Sequence, residues 1–225
     1  WADLEPEWDH LVANSFVSYP FLEHWYLFIL WETLGGGEWP EQDTTLQIIT
    51  ARENGELVGI APLFCSHKAG SEPALRFIGQ IEVTDYLDFI CLPESLETFL
   101  SHLLNFIDET PQFNSKRLEL ANIQDGSPTG ALMESLCQQK QRTYEVSVLQ
   151  PSPSIHLPSN WEVYLQSLHK KQRHEVRRKE RNIERDYQAG LVFLENSTNI
   201  ADEMNRIIEL MRNEEAKAEF LTPTT

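Results

Sequence analysis

The sequence predicts an α+β fold, and three observations carry that expectation. Helical and strand-like periods follow one another as α-α-β-β-β-α-β-α-β, without the early strand–helix alternation that a doubly wound sheet needs. Two strand-like runs, TLQIITAR (Thr45–Arg52) and ELVGIAPLF (Glu56–Phe64), are joined by Glu53-Asn54-Gly55. An Asn-Gly pair favours the positive φ of a tight hairpin turn. Neither GxGxxG nor GxxxxGK[ST] occurs, so a glycine-rich nucleotide loop has no support.

Each element has a local reason. Leu4, Trp8, Leu11 and Val12 recur at helical spacing and predict a short amphipathic helix over Leu4–Ala13. The aromatic run after Pro20, FLEHWYLFILWETL, closes on Gly35-Gly36-Gly37 and reads as a buried helix, with His24 as the histidine most apt to face a pocket. A short strand is expected at Ala74–Gly79 and a longer one at Thr84–Leu92, with Tyr86, Asp88 and Ile90 on one face and Leu87, Phe89 and Cys91 on the other. From Glu94 or Ser95 to Asp108, Leu96, Phe99, Leu100, Leu103, Leu104 and Ile107 form a helical apolar stripe. Arg117–Ala121 reads as a strand, Thr129–Gln139 as a helix and Arg142–Leu149 as a further strand.

Gln150–Asn160 holds three prolines in eleven residues and reads as an extended linker. Ser159 or Asn160 is expected to cap one long basic helix, Trp161–Ala189, ended by Gly190. A short strand at Leu191–Glu195 and a helix at Asn199–Ala218 follow.

Composition bounds the function classes. The chain of 225 residues is 41% hydrophobic and carries a formal charge of −17, enough apolar residues for a real core and too acidic for generic nucleic-acid or membrane-surface binding. The charge is uneven. Residues 1–150 hold 7 basic and 23 acidic side chains, whereas residues 151–225 hold 11 and 12. An anion site is therefore expected in the second part. Cys65, Cys91 and Cys137 are odd in number and widely spaced, which fits reduced thiols and a cytoplasmic location. No apolar run reaches the roughly 18 residues that span a bilayer, and the acidic opening, with Asp3, Glu5, Glu7 and Asp9, does not read as a secretory leader, so none is expected. The start at Trp1, without Met, leads us to expect a piece of a longer protein.

Two stretches could carry chemistry. In the basic stretch, Lys170, Arg173 and Arg177 recur at i, i+3 and i+4 spacings with Arg178 beside them, and could converge on a phosphate or carboxylate. The alternatives are a solvated face with internal Arg–Glu pairs, docking against the acidic first part, or contact with another macromolecule. In TDYLDFI, Asp85, Tyr86 and Asp88 put two carboxylates and a phenol within four residues. A carboxylate there could serve as a general base, or could equally pair with Arg76 or the basic helix. The seven histidines show no metal-ligand spacing, and no nucleophile elbow or Cys–His signature appears.

Four stretches, PFLEHWYLFILWETLGGG, GELVGIAPLF, TDYLDFI and WEVYLQSLHKKQRHEVRRKERNIERDYQAGLVF, resemble acetyltransferases of the CelD/BcsL type in the GNAT superfamily, relatives of the FemAB peptidyltransferases. The last is the most specific. It matches a Ser-x-x-(Lys/Arg)-x-x-Arg-x-x-(Ile/Val)-Arg-(Arg/Lys) pattern through Ser167, Lys170, Arg173, Val176, Arg177 and Arg178. The resemblance implies a GNAT-like mixed, mostly antiparallel sheet flanked by helices over residues 1–150, lacking its first strand. A linker at 151–160 and the truncated start of a second such module at 161–225 would follow.

It also implies transfer of an acyl group, acetyl foremost, from acetyl-CoA or another acyl-CoA. The acceptor would be an amine or hydroxyl of a small-molecule, sugar or peptide substrate; from the acidic composition and the short apolar runs, no nucleic-acid partner and no membrane insertion are expected. One departure bears on the cofactor. Where such enzymes carry a glycine-rich pyrophosphate loop, this chain has Ile90-Cys91-Leu92-Pro93-Glu94-Ser95, without a glycine and with an acid. The first module is therefore not expected to hold acetyl-CoA in that way, and this piece alone is expected to be inactive. The alternative from another class is a non-catalytic GNAT-like scaffold that binds a partner.

Overall fold

The computed structural model describes residues 1–37, 43–67, 72–79, 83–113, 116–187, 189–190, 193 and 199–214. The chain divides into two units, Trp1–Leu149 and Gln150–Thr225.

The first unit opens with α1 (Glu5–Asn14), whose Trp8, Leu11 and Val12 are buried. Trp8 is fully buried and its indole N–H donates to Leu22 O at 2.8 Å, which ties α1 to a 3-10 turn at Pro20–Leu22. Helix α2 (His24–Leu34) is shorter than the aromatic run, because Pro20–Leu22 takes the turn; it closes where Gly35 N–H donates to Trp31 O at 2.9 Å. The hairpin of β1 (Asp43–Glu53) and β2 (Glu56–His67) follows. Its turn places Asn54 at φ 51° and Gly55 at φ 92°, the left-handed pair that the Asn-Gly sequence favours.

Strand β2 organises the sheet. Along one edge it pairs antiparallel with the whole of β1, with a bulge at Ala51/Arg52. Its other edge is shared. Leu63–Ser66 pair antiparallel with β3 (Ala74–Phe77), and Gly59 and Ile60 pair antiparallel with β4 (Ile90–Cys91). Strand β5 (Arg117–Glu119) runs parallel to β3, so the sheet is mixed and mostly antiparallel. The unit is α+β, with helices flanking this sheet.

Helix α3 (Leu96–Glu109) buries Leu96, Phe99, Leu100, Leu103, Leu104 and Ile107, the stripe legible in the sequence. It lies so close to β2 that a Cβ at Gly59 would stand 2.4 Å from the Phe99 ring. Helix α4 (Pro128–Gln139) starts at Ser127, whose hydroxyl accepts from Thr129 N–H, with Pro128 in the first turn. One continuous core runs from Trp8 through Ile60, Phe64, Phe77, Phe89 and Leu100 to Leu136.

Two strand expectations in this unit are corrected. Thr84–Leu92 forms strand only at Ile90–Cys91. Leu87 through Cys91 are five consecutive buried residues, so the expected alternation of faces does not occur. Instead, loop contacts hold the backbone: Leu87 N–H donates to Asn122 O at 3.0 Å, and the Asn122 amide donates to Thr84 O at 2.5 Å. Arg142–Leu149 forms no strand. Tyr144 anchors its start by donating to Gly130 O at 3.0 Å. Beyond it, Val146 and Val148 are exposed, and no neighbouring strand among the described residues pairs with them.

The second unit contains α5 (Trp161–Ser167), α6 (Lys170–Tyr187) and α7 (Ile200–Arg212). Asn160 caps α5 by accepting from Val163 N–H at 3.0 Å. The single long basic helix expected over Trp161–Ala189 is corrected: Leu168 is extended at ψ 150° and splits it in two. The residues expected to form a strand at 191–195 lie, apart from Phe193, outside the described residues, as do 215–218 of the last helix.

Candidate functional site

The TDYLDFI segment buries Leu87 to Ile90 in the core of the first unit and leaves Asp85 exposed, and this fixes the fate of its acids. Asp88 is fully buried. Its Oδ1 accepts from Phe89 N–H at 2.8 Å and from the Thr129 hydroxyl at 2.7 Å, and its Oδ2 accepts from the Ser127 hydroxyl at 2.6 Å. Ser127 and Thr129 open α4, so the carboxylate also sits at the positive end of that helix. Burial pushes the Asp88 carboxyl above the ordinary range, while the bonds from Ser127, Thr129 and Phe89 pull it back. A carboxylate with both oxygens engaged and no exposed surface cannot take a proton from an incoming substrate. It clasps the segment before β4 to the start of α4.

Its two neighbours lie elsewhere. Asp85 is exposed, and Tyr86 is half-buried with its ring tilted against Tyr19 at 5.4 Å between centroids. Tyr19 donates its hydroxyl to Gln124 Oε1 at 2.7 Å. Burial first, then the charge of Asp88 and the neighbouring Tyr86, raises the Tyr19 phenol. Tyr26 donates to Val83 O at 3.1 Å, and its phenol is raised by burial and then by Asp85. The structure therefore separates the three candidates: Asp88 serves the core, Tyr86 a tyrosine pair, and Asp85 the surface. Arg76, considered as their partner, pairs instead with Glu119 at 2.5 Å across β3 and β5, and donates to Ser66 Oγ.

His24 is buried. Its ring packs among Trp1, Trp8 and Phe28, and its Nε2 lies 3.2 Å from Trp1 O. The three cysteines are buried free thiols, and burial, then Glu94, pushes Cys91 up to about 12. Among the described residues no group of three or more His, Cys, Asp or Glu is placed to hold a metal ion.

The junction after β4 bears on the cofactor. A 3-10 turn at Pro93–Ser95 leads from β4 into α3, with Glu94 in the turn and Glu97 in the first turn of the helix. A pyrophosphate there would meet two carboxylates and a proline without an N–H. The residues present do not fit a CoA pyrophosphate.

In the second unit the cations sort into two sets. Arg173 donates to Leu165 O at 3.4 Å and Gln166 O at 3.2 Å, two of the last carbonyls of α5, where a cation also complements the helix dipole. Arg177 pairs with Glu162 at 2.7 Å, and the Trp161 indole donates to Glu180 at 3.1 Å. Glu180 thus serves Trp161 rather than an arginine of its own helix. These contacts brace α5 against α6. Arg178 pairs with Glu175 at 2.6 Å within α6. Lys170 is exposed with no acidic partner among the described residues. Of the four candidate anion ligands, Arg173 and Arg177 look inward and Lys170 and Arg178 outward, so they do not converge on one small anion.

Sequence reasoning missed Ser127, Thr129, Tyr19 and Gln124. A Ser-Pro pair ahead of a helical run is a cap signal that marks the start of α4, but nothing local marks its contact with Asp88, about forty residues away in the chain. No known protein family, no curated protein and no solved structure matches this chain.

Proposed function

We propose that the chain belongs to an acyltransferase of the GNAT superfamily, of the CelD and FemAB type. Its reaction is transfer of an acyl group, acetyl foremost, from a CoA thioester to an amine or hydroxyl of a polar acceptor. The reading rests on the resemblance of the four stretches, and one observation supports it most. The spaced Ser167, Lys170, Arg173 and Arg177 fall on a defined helical pair, in which Arg173 closes the end of α5 and Arg177 ties α6 to Glu162. The α+β unit with a mixed, mostly antiparallel sheet accords with the same reading.

Within that enzyme, residues 1–149 act as a supporting module. The acidic turn at Pro93–Ser95 and the engaged Asp88 favour this division of labour. The acyl donor is then held by residues outside this turn, and direct attack on the thioester would depend on an oxyanion-stabilising N–H and a base there.

Calorimetric titration of acetyl-CoA into the full protein tests the reading. Saturable heat and release of free CoA thiol in the presence of an acceptor are expected, with Glu94→Lys leaving the affinity unchanged. No heat and no thermal shift at millimolar acetyl-CoA would sink it. The observation that nothing at the β4–α3 junction suits a phosphate favours a second reading, a non-catalytic scaffold of the same fold. That reading predicts this silence.

A further inference from the structure

One face of α6 belongs to neither the core nor the brace against α5. Taking about 100° per residue, Lys170, Lys171, His174, Arg177, Arg178, Arg181 and Arg185 fall within an arc of roughly 120°, and no acid lies inside it. Arg177 at its edge turns to Glu162, and the rest stand exposed. Lys170, Lys171 and Arg181 have no acidic partner among the described residues, while Arg178 and Arg185 lean toward Glu175 and Asp186 at the margin. From Lys170 to Arg185 the strip runs about 22 Å along the helix.

Three features select the partner's shape. The cations are spread along the helix, and the concavity at Arg178, Arg181, Asn182, Glu184 and Arg185 is open to solvent and includes an acid, so a compact phosphate cannot gather them. Glu175 and Asp186 border the strip on one side and Glu180 and Glu184 on the other. A nucleic-acid groove would enclose the helix and bring those acids against phosphates. Along α6 itself, a plane laid against the arc meets the cations before the bordering acids. Val176, Ile183 and Tyr187 lie on the opposite side of α6, so contact through the basic face inserts nothing apolar.

We propose that this strip docks the protein peripherally on an anionic lipid surface, through charge alone. The chain's formal charge of −17 opposes generic attraction to such a surface. Within about a Debye length, however, the local row of cations decides the contact. This inference does not depend on the acyltransferase reading.

Co-sedimentation of the full protein with vesicles tests it. Binding is expected to phosphatidylcholine vesicles containing about a third phosphatidylglycerol and not to phosphatidylcholine alone, with release as salt rises from about 0.05 to 0.5 M. Arg181→Ala with Arg185→Ala should weaken binding about 30-fold, with the helical circular dichroism unchanged. Lys179→Ala, on the other side of α6, should not weaken it. The tryptophan emission maximum, to which exposed Trp161 contributes, should stay unshifted on binding, as expected without insertion. Equal binding to both vesicle types, or none to the anionic vesicles at low salt, overturns the proposal. So does preferential, Arg181- and Arg185-dependent binding to an acidic peptide or an oligonucleotide, which would assign the strip to that partner.

Discussion

Residues 1–149 and residues 150–225 are held by different physics. In the first unit, rings and aliphatic chains from α1, the sheet, α3 and α4 share one core, and Trp8, Phe64, Phe77 and Phe89 are almost wholly removed from water. In the second, Leu165 is the one buried hydrophobic among the described residues, while Ile183, Ile200, Met204, Ile207 and Leu210 are each at least half exposed. The first unit is stabilised by burial, the second by caps, carbonyl contacts and ion pairs, which contribute far less each. Apolar periodicity therefore means different things in the two halves: in α3 it marks a filled face, and in α7 an uncovered one.

The largest expected effect separates the two regimes. Phe89→Ala, which empties the space between Phe77 and Phe99, should cost about 3–5 kcal/mol in urea unfolding, while Ile207→Ala should stay within about 0.5 kcal/mol. Equal losses would break the comparison. Next comes the polar clasp. Asp88→Ala leaves Ser127, Thr129 and Phe89 N–H without their acceptor and should cost about 3 kcal/mol, and Asp88→Asn less.

Because burial raises the Asp88 carboxyl above 3.8, the folded protein holds that proton more tightly than the unfolded chain does. Its contribution to stability is present below 3.8 and is lost as pH climbs through the raised value. Asp88→Asn should remove that part of the pH dependence; an unchanged profile would show that Asp88 is not its source. Smaller still, Asn160→Ala should weaken α5 by about 1 kcal/mol, read as lost amide protection at Val163. At the bottom, Arg178→Ala breaks a pair in open water and should leave the thermal midpoint unmoved.

What could be read from the sequence follows the same division. The Asn54-Gly55 turn and the α3 stripe were legible because each is decided by neighbours in the chain. Thr84–Leu92 misled because Leu87–Cys91 are covered on both sides, and alternation reports a face only when one side is wet. Arg142–Leu149 has the composition of a strand, but a strand also needs an adjacent backbone to pair with. No glycine or proline marks the break at Leu168, so the sequence carries no local signal for it; Arg173 donates to the carbonyls of Leu165 and Gln166 at the end of α5. For the candidate site, the residue types were legible and their partners were not. Whether Asp88 meets water or Ser127 is settled by where α4 docks.

The close approach of α3 to β2 has an evolutionary consequence. Position 59 admits only a hydrogen because the Phe99 ring fills the space where a side chain would begin. A methyl gained at 59 without a smaller residue at 99 would force the helix off the sheet. The two positions, forty residues apart, are therefore coupled in one direction: a side chain gained at 59 has to follow a smaller residue at 99, whereas a smaller residue at 99 leaves Gly59 free to persist.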